Sequence, residues 1–123
     1  VFAMFCCAQN TVELDEDGYG LACKLSDVPE TGSKKVQMNG KSLAIYRYQG
    51  SKLYVIQNSC THGGVSLAGR DIEELDGKLC ITCPGHFYKF DIKTGKCITD
   101  SHYVQRRYRA KVQDEFIYIQ LKR

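Results

Sequence analysis

The chain has 123 residues, 43% of them hydrophobic and 25% charged, and a formal net charge of +3. That length holds one domain around one core with no room for a second catalytic domain, and no apolar run approaches the roughly eighteen residues of a membrane span. Nucleic-acid binding is disfavoured: Arg106, Arg107, Arg109, Lys111, Lys122 and Arg123 gather toward the end, but no recognition helix or stacking platform accompanies them, so they read as a solvated strand face.

Residues 1–18 are expected to form a partly disordered N-terminal segment. Its start, Val1-Phe2-Ala3-Met4-Phe5-Cys6-Cys7, lacks the basic segment and full apolar stretch of a signal peptide. Were Met4 the natural start, Cys6 and Cys7 would lie close enough to it for lipidation. Thr11 to Gly18 is acidic and expected to fray or to cap the domain, which runs from 19 to 123. Tyr19 to Leu25 reads as a strand, and Asp27 to Gly32 as a turn-rich loop. Lys34 to Met38 and Ser42 to Arg47 are strands joined by Asn39-Gly40, a pair suited to a two-residue type I′ turn. In the second of these strands Leu43, Ile45 and Arg47 alternate with Ala44 and Tyr46. A turn at Gln49-Gly50-Ser51 leads into a strand from Leu53 to Gln57.

Asp71 to Gly77 is an acidic stretch closed by an Asp-Gly turn, and Leu79 to Thr82 is a short strand. Phe87 to Phe90 reads as the next strand and Asp91 to Gly95 as a turn in which Gly95 takes a left-handed conformation. Val104 to Gln113 and Phe116 to Leu121 form a hairpin across Asp114-Glu115, with Ile117, Ile119 and Leu121 on one face. No window shows a helical repeat over three turns. The chain is therefore predicted to be all-β, a meander of antiparallel strands with a small subdomain from about Asn58 to Phe90 inserted into it.

Two loops at the ends of that insertion carry the chemistry: Cys60-Thr61-His62-Gly63-Gly64 and Cys83-Pro84-Gly85-His86. Each offers one thiolate and one imidazole, spaced C-x-H and C-x-x-H. The four residues fit a tetrahedral zinc site or a 2Fe-2S cluster with cysteines on one iron and histidines on the other. Zinc motifs usually group cysteine with cysteine and histidine with histidine; one of each per loop suits the cluster. The remaining cysteines, Cys6, Cys7, Cys23, Cys80 and Cys97, are odd in number and lack the spacing of a secreted disulfide framework, so a reducing compartment such as the cytoplasm is expected. Cys80-Ile81-Thr82-Cys83 has redox-dithiol spacing, yet Cys80 falls within a strand and reads as a small buried apolar residue. His102 has no ligand spacing and reads as a surface residue.

With its C-x-H and C-x-x-H loops, Ser26-Asp27-Val28-Pro29, the Asn39-Gly40 hairpin and Phe90-Asp91 before Thr94-Gly95, the chain resembles the Rieske family from roughly Tyr19 to Leu121, in its low-potential ferredoxin branch. The resemblance implies an antiparallel β-sandwich of Rieske type with one 2Fe-2S cluster at its tip, Cys60 and Cys83 on the inner iron, and His62 and His86 on the outer. High-potential respiratory members carry a further cysteine in each loop, paired as a disulfide; the matching positions here look like Val65 and Gly85, so that clamp cannot form. They also follow the last ligand with H-G-S-x-Y, where this chain has His86-Phe87-Tyr88-Lys89-Phe90. Fewer donors to the cluster imply a potential at the low end of the Rieske range, about −150 mV. Gly85 stands where ferredoxins often have tryptophan, and Phe87, where glycine is common, is expected to give His86 apolar cover.

The function implied is a monomeric one-electron carrier, not an enzyme, fed by a reductase and serving an electron-accepting oxidoreductase such as an oxygenase. A redox or iron-sulfur sensor, or a zinc-stabilised structural module, are the alternatives.

Overall fold

The structure is a computed structural model that describes residues 11–85 and 87–122. Residues 1–10, which include Cys6 and Cys7, the expected ligand His86, and Arg123 lie outside the described residues. The strands are β1 (Tyr19–Lys24), β2 (Gly32–Met38), β3 (Lys41–Tyr48), β4 (Lys52–Gln57), β5 (Glu73–Leu75), β6 (Lys78–Thr82), β7 (Lys89–Asp91), β8 (Arg107–Tyr108), β9 (Ala110–Gln113) and β10 (Phe116–Gln120). One 3-10 turn, Leu25–Asp27, interrupts them, and no α-helix occurs among the described residues. They form three antiparallel sheets in the orders β1-β10-β9, β2-β3-β4-β8 and β5-β6-β7.

The arrangement follows from β3, which is buried on both faces. Side chains alternate across a strand, so its odd and even positions feed different cores. Leu43 and Ile45 face a core shared with Val36, Met38, Val55, Ile117, Ile119 and Leu121, against the sheet that joins the two ends of the domain. Ala44 and Tyr46 face the other way, into a core with Ile56, Leu67, Leu79, Ile81, Phe90 and Ile92 that supports the third sheet. Each large apolar side chain so enclosed contributes about 1.5–3 kcal/mol. The middle and terminal sheets make the predicted sandwich, and the third sheet packs on the middle sheet's other face.

The turn residues act as their sequence implies. Asn39 and Gly40 have φ of 49° and 80°, the paired positive values of a type I′ hairpin. Segment 11–18 caps the sandwich: Val12 and Leu14 pack on the core beneath the terminal sheet, and Val12 N–H is held by Asn39 Oδ1 at 2.8 Å.

Two readings need correction. Val104 to Gln113 is not one arm of a hairpin. Tyr108 and Arg107 pair with Val55 and Ile56 of β4, and only after Arg109 does the chain join β10 in the other sheet. One segment thus stitches the two sheets together, which local alternation cannot reveal. The acidic stretch contains a strand as well: Glu73–Leu75 pairs with β6 although all three residues are exposed.

Candidate metal centre

The two loops are built alike. In the first, Cys60 N–H bonds Val65 C=O at 2.9 Å and Gly64 N–H bonds Cys60 C=O at 2.6 Å. In the second, Cys83 N–H bonds Tyr88 C=O and Phe87 N–H bonds Cys83 C=O, both at 2.8 Å. Each cysteine therefore closes a tight turn through its own backbone, at the same two offsets. The first loop leaves β4 by way of Asn58 and Ser59, and the second joins β6 to β7. The folded third sheet brings the two turns face to face.

Cys60 and Cys83 are 3% and 0% exposed, and their thiols are hydrogen-bonded to each other. Burial pushes the Cys60 thiol up, the neighbouring Cys83 sulfur adds to this, and the backbone N–H groups of Gly63 and His62 act in the opposite sense. A thiol pushed up in this way ionises where positive charge compensates it, as a bound metal would. The His62 ring lies beyond them. It stacks on Tyr88 with centroids 4.1 Å apart and meets Tyr103 edge-on at 5.2 Å. Asp100 adds a negative charge nearby; its carboxyl is held below the usual range by the backbone N–H and ring of His102 and, in smaller part, by His62. Among the described residues no three His, Cys, Asp or Glu side chains gather to hold a single metal ion.

Several residues shape the site without being legible in the sequence. Gln105 is 1% exposed and spans the base of the first loop. Its Oε1 accepts Thr61 N–H at 2.6 Å, and its Nε2 donates to Gln57 C=O at 2.7 Å and Ser59 C=O at 3.0 Å. Asn58, 3% exposed, holds the returning arm through Ala68 N–H at 2.8 Å and Ser66 Oγ at 3.0 Å. Buried amides satisfied this fully fix the loop that carries Cys60 and His62. Tyr88 and Tyr103 flank His62, and only their three-dimensional proximity marks them.

Across the loops, a Cβ added to Gly85 would stand 3.3 Å from Val65 Cγ2 and 3.7 Å from Cys83 Sγ. The two positions matched to the missing disulfide clamp do face one another. Phe87 departs from expectation. It lies before β7, with φ of 61°, a left-handed conformation that costs a residue with a Cβ about 1–2 kcal/mol. Its side chain is 74% exposed, and so stands out in solvent rather than as a cover. Cys80 is fully buried; burial pushes its thiol up, and the charges acting on it are Asp91, Lys89, Lys78 and Glu73, with neither cluster-loop cysteine among them. His102 is exposed and bonds Asp100 at 2.8 Å.

An all-β frame thus presents two cysteine turns of identical backbone closure with their thiols paired and buried. Residues 18–111 match the Rieske [2Fe-2S] domain, and the chain belongs to that family, with its one Rieske-type 2Fe-2S cluster. It is 38% identical over 77 residues, 63% of this chain and 68% of the relative, to the ferredoxin component of the naphthalene 1,2-dioxygenase/salicylate 5-hydroxylase systems of Ralstonia sp. It is 29% identical over 75 residues, 61% of this chain and 47% of the relative, to a Rieske domain-containing protein of Homo sapiens. Among solved structures it is similar to a chain of the complex of reduced oxygenase and oxidized ferredoxin in carbazole 1,9a-dioxygenase. The TM-score is 0.70 at 27% identity, covering 85% of this chain and 94% of that one. No helix among the described residues is long and apolar enough to cross a membrane.

Proposed function

We propose that this chain is a one-electron carrier, not itself an enzyme, that takes an electron from a reductase and delivers it to an oxygenase. The supporting observation is the matched pair of turns, which sets two thiols in buried contact beneath a half-buried His62. Similarity to ferredoxin components of dioxygenase systems, and to a ferredoxin solved with its oxygenase, supports the direction of transfer. A 2Fe-2S cluster bound here would supply a one-electron couple. Cys60 and Cys83, sheltered by the core, would hold it as thiolates, and His62 and His86 would hold it as neutral imidazoles. The Gly63 and His62 N–H groups stabilise negative charge on the Cys60 sulfur. Tyr88 and Tyr103 fix the plane of the His62 ring, leaving its edge as the nearest described ligand atoms to a docked partner.

Voltammetry against pH tests this reading. Neutral imidazole ligands lose protons more easily on the oxidised cluster, so the midpoint potential, about −150 mV at neutral pH, is expected to fall as pH rises through the histidine transitions. A potential constant up to about pH 10 would remove histidine ligation.

A further inference from the structure

Phe87 holds in the second loop the place that Gly64 holds in the first. Each donates its backbone N–H to the carbonyl of its loop's cysteine, and φ is 76° at Gly64 and 61° at Phe87. Glycine enters that conformation freely, whereas phenylalanine resists it. The usual compensation for such strain is packing, yet this ring is 74% exposed and joins neither core. The conformation is held by the backbone hydrogen bond to Cys83, and the side chain adds no packing to offset its cost. The other exposed residues of the two turns are Thr61, Gly63, Gly64, Pro84 and Gly85, none of them charged. A large apolar side chain is thus held outward among uncharged turn residues, next to an expected ligand.

We propose that Phe87 is the anchor by which the cluster end docks on its electron acceptor, a protein whose electron-entry face offers an uncharged apolar recess. This rests on the carrier reading. Strained residues cluster at functional positions, where the surrounding structure holds them, and buried aromatic anchors dominate protein interfaces. Docking through the ring closes the distance to the His62 edge, and the charge beside that edge, Asp100, is already bonded by His102. The rival surface is an open groove of about 700 Å³ lined by Lys93, Arg106, Arg107, Arg109 and Lys122, none of which is ion-paired among the described residues. No residue of either turn lines it. A partner held there would be gripped by charge, away from the two turns.

The two surfaces separate on electrodes. Holoprotein is examined on gold coated with octanethiol, an apolar uncharged film, and with 8-mercaptooctanoic acid, an anionic one. Wild type and Phe87→Leu are expected to adsorb on the methyl film and exchange electrons there with little dependence on salt. Phe87→Asn tolerates a left-handed backbone but lacks the apolar group; it is expected to lose electroactive adsorption about tenfold, as for removal of one buried apolar ring. Its solution potential stays unchanged and its melting temperature does not fall. The proposal is overturned if Phe87→Asn adsorbs like wild type, if wild type exchanges only on the carboxylate film in a salt-dependent way, or if the variant melts lower, showing that the ring serves the fold. Absence of a reversible couple in solution would instead remove the carrier reading itself.

Discussion

Gln105 Oε1 accepts the backbone N–H of Thr61 at 2.6 Å, joining a buried side chain near the end of the domain to the residue between two expected ligands. The same amide donates to Gln57 and Ser59, so one side chain satisfies three backbone groups. Gln105→Leu keeps the bulk and strands all three. The expected cost is at least about 3 kcal/mol of stability, since each of the three orphaned buried groups costs about 1–3 kcal/mol. Denaturant unfolding reads the loss, and iron per chain is expected to fall with it, because Thr61 no longer holds the first turn. Stability unchanged within error would show that water replaces the amide.

Gly95 positions Gln105 from behind. Its φ is 80°, its carbonyl accepts Gln105 N–H at 2.6 Å, and an added Cβ would meet Gln105 O at 2.1 Å. Gly95→Ala must therefore shift backbone, at a cost of about 2–4 kcal/mol. Gly40→Ala, where an added Cβ meets nothing within 4 Å, carries only the φ penalty and is expected to lose less. Comparing the two by thermal unfolding separates collision from conformation.

Tyr46 donates its hydroxyl to Leu67 C=O and receives Arg70 N–H at 3.3 Å, tying the return of the first loop to β3. Burial, partly opposed by the Arg70 N–H, pushes its hydroxyl up to about 12 from the ordinary 10.0. The neutral form is the one the fold prefers. Its contribution is therefore fully present below pH 10 and lost as pH rises from about 10 to about 12, amounting to about 2–3 kcal/mol. Tyr46→Phe is expected to lose about 1–2 kcal/mol at neutral pH and to flatten the alkaline decline. An unchanged decline in the variant would assign it to other groups.

Val65 and Gly85 face each other closely enough for the clamp this chain lacks. The double variant Val65→Cys with Gly85→Cys is expected to close a disulfide under mild oxidation. A bridge over about 20 residues stabilises by about 3 kcal/mol relative to the reduced form. Mass spectrometry after thiol alkylation detects the bond, and unfolding with and without reductant measures it. Two free thiols after oxidation would mean that the loops stand in a different register.

The sequence carries the frame wherever a local signal suffices. Asn39-Gly40 marks a hairpin, the alternation of Leu43 and Ile45 against Ala44 and Tyr46 assigns both faces of β3, and the C-x-H and C-x-x-H spacings locate both turns. What it hides depends on contacts made at long range. Gln105 reaches Thr61 across 44 positions, and a buried glutamine has no motif. The break at Arg109 between two sheets leaves the strand-like composition of Val104 to Gln113 intact. Tyr103 approaches His62 only because the chain turns back after β7, and Glu73–Leu75 forms a strand without a buried residue to announce it. Phe87 reads as a strand residue because its turn is set by Cys83, four positions earlier, and not by its own preference.

Iron, zinc and acid-labile sulfide per chain in freshly purified protein test the central claim most directly. The account predicts iron and sulfide in equal amounts, two of each per chain, with no stoichiometric zinc. One zinc with no sulfide, reproduced under anaerobic preparation, would contradict it and leave the paired turns as a structural fastening.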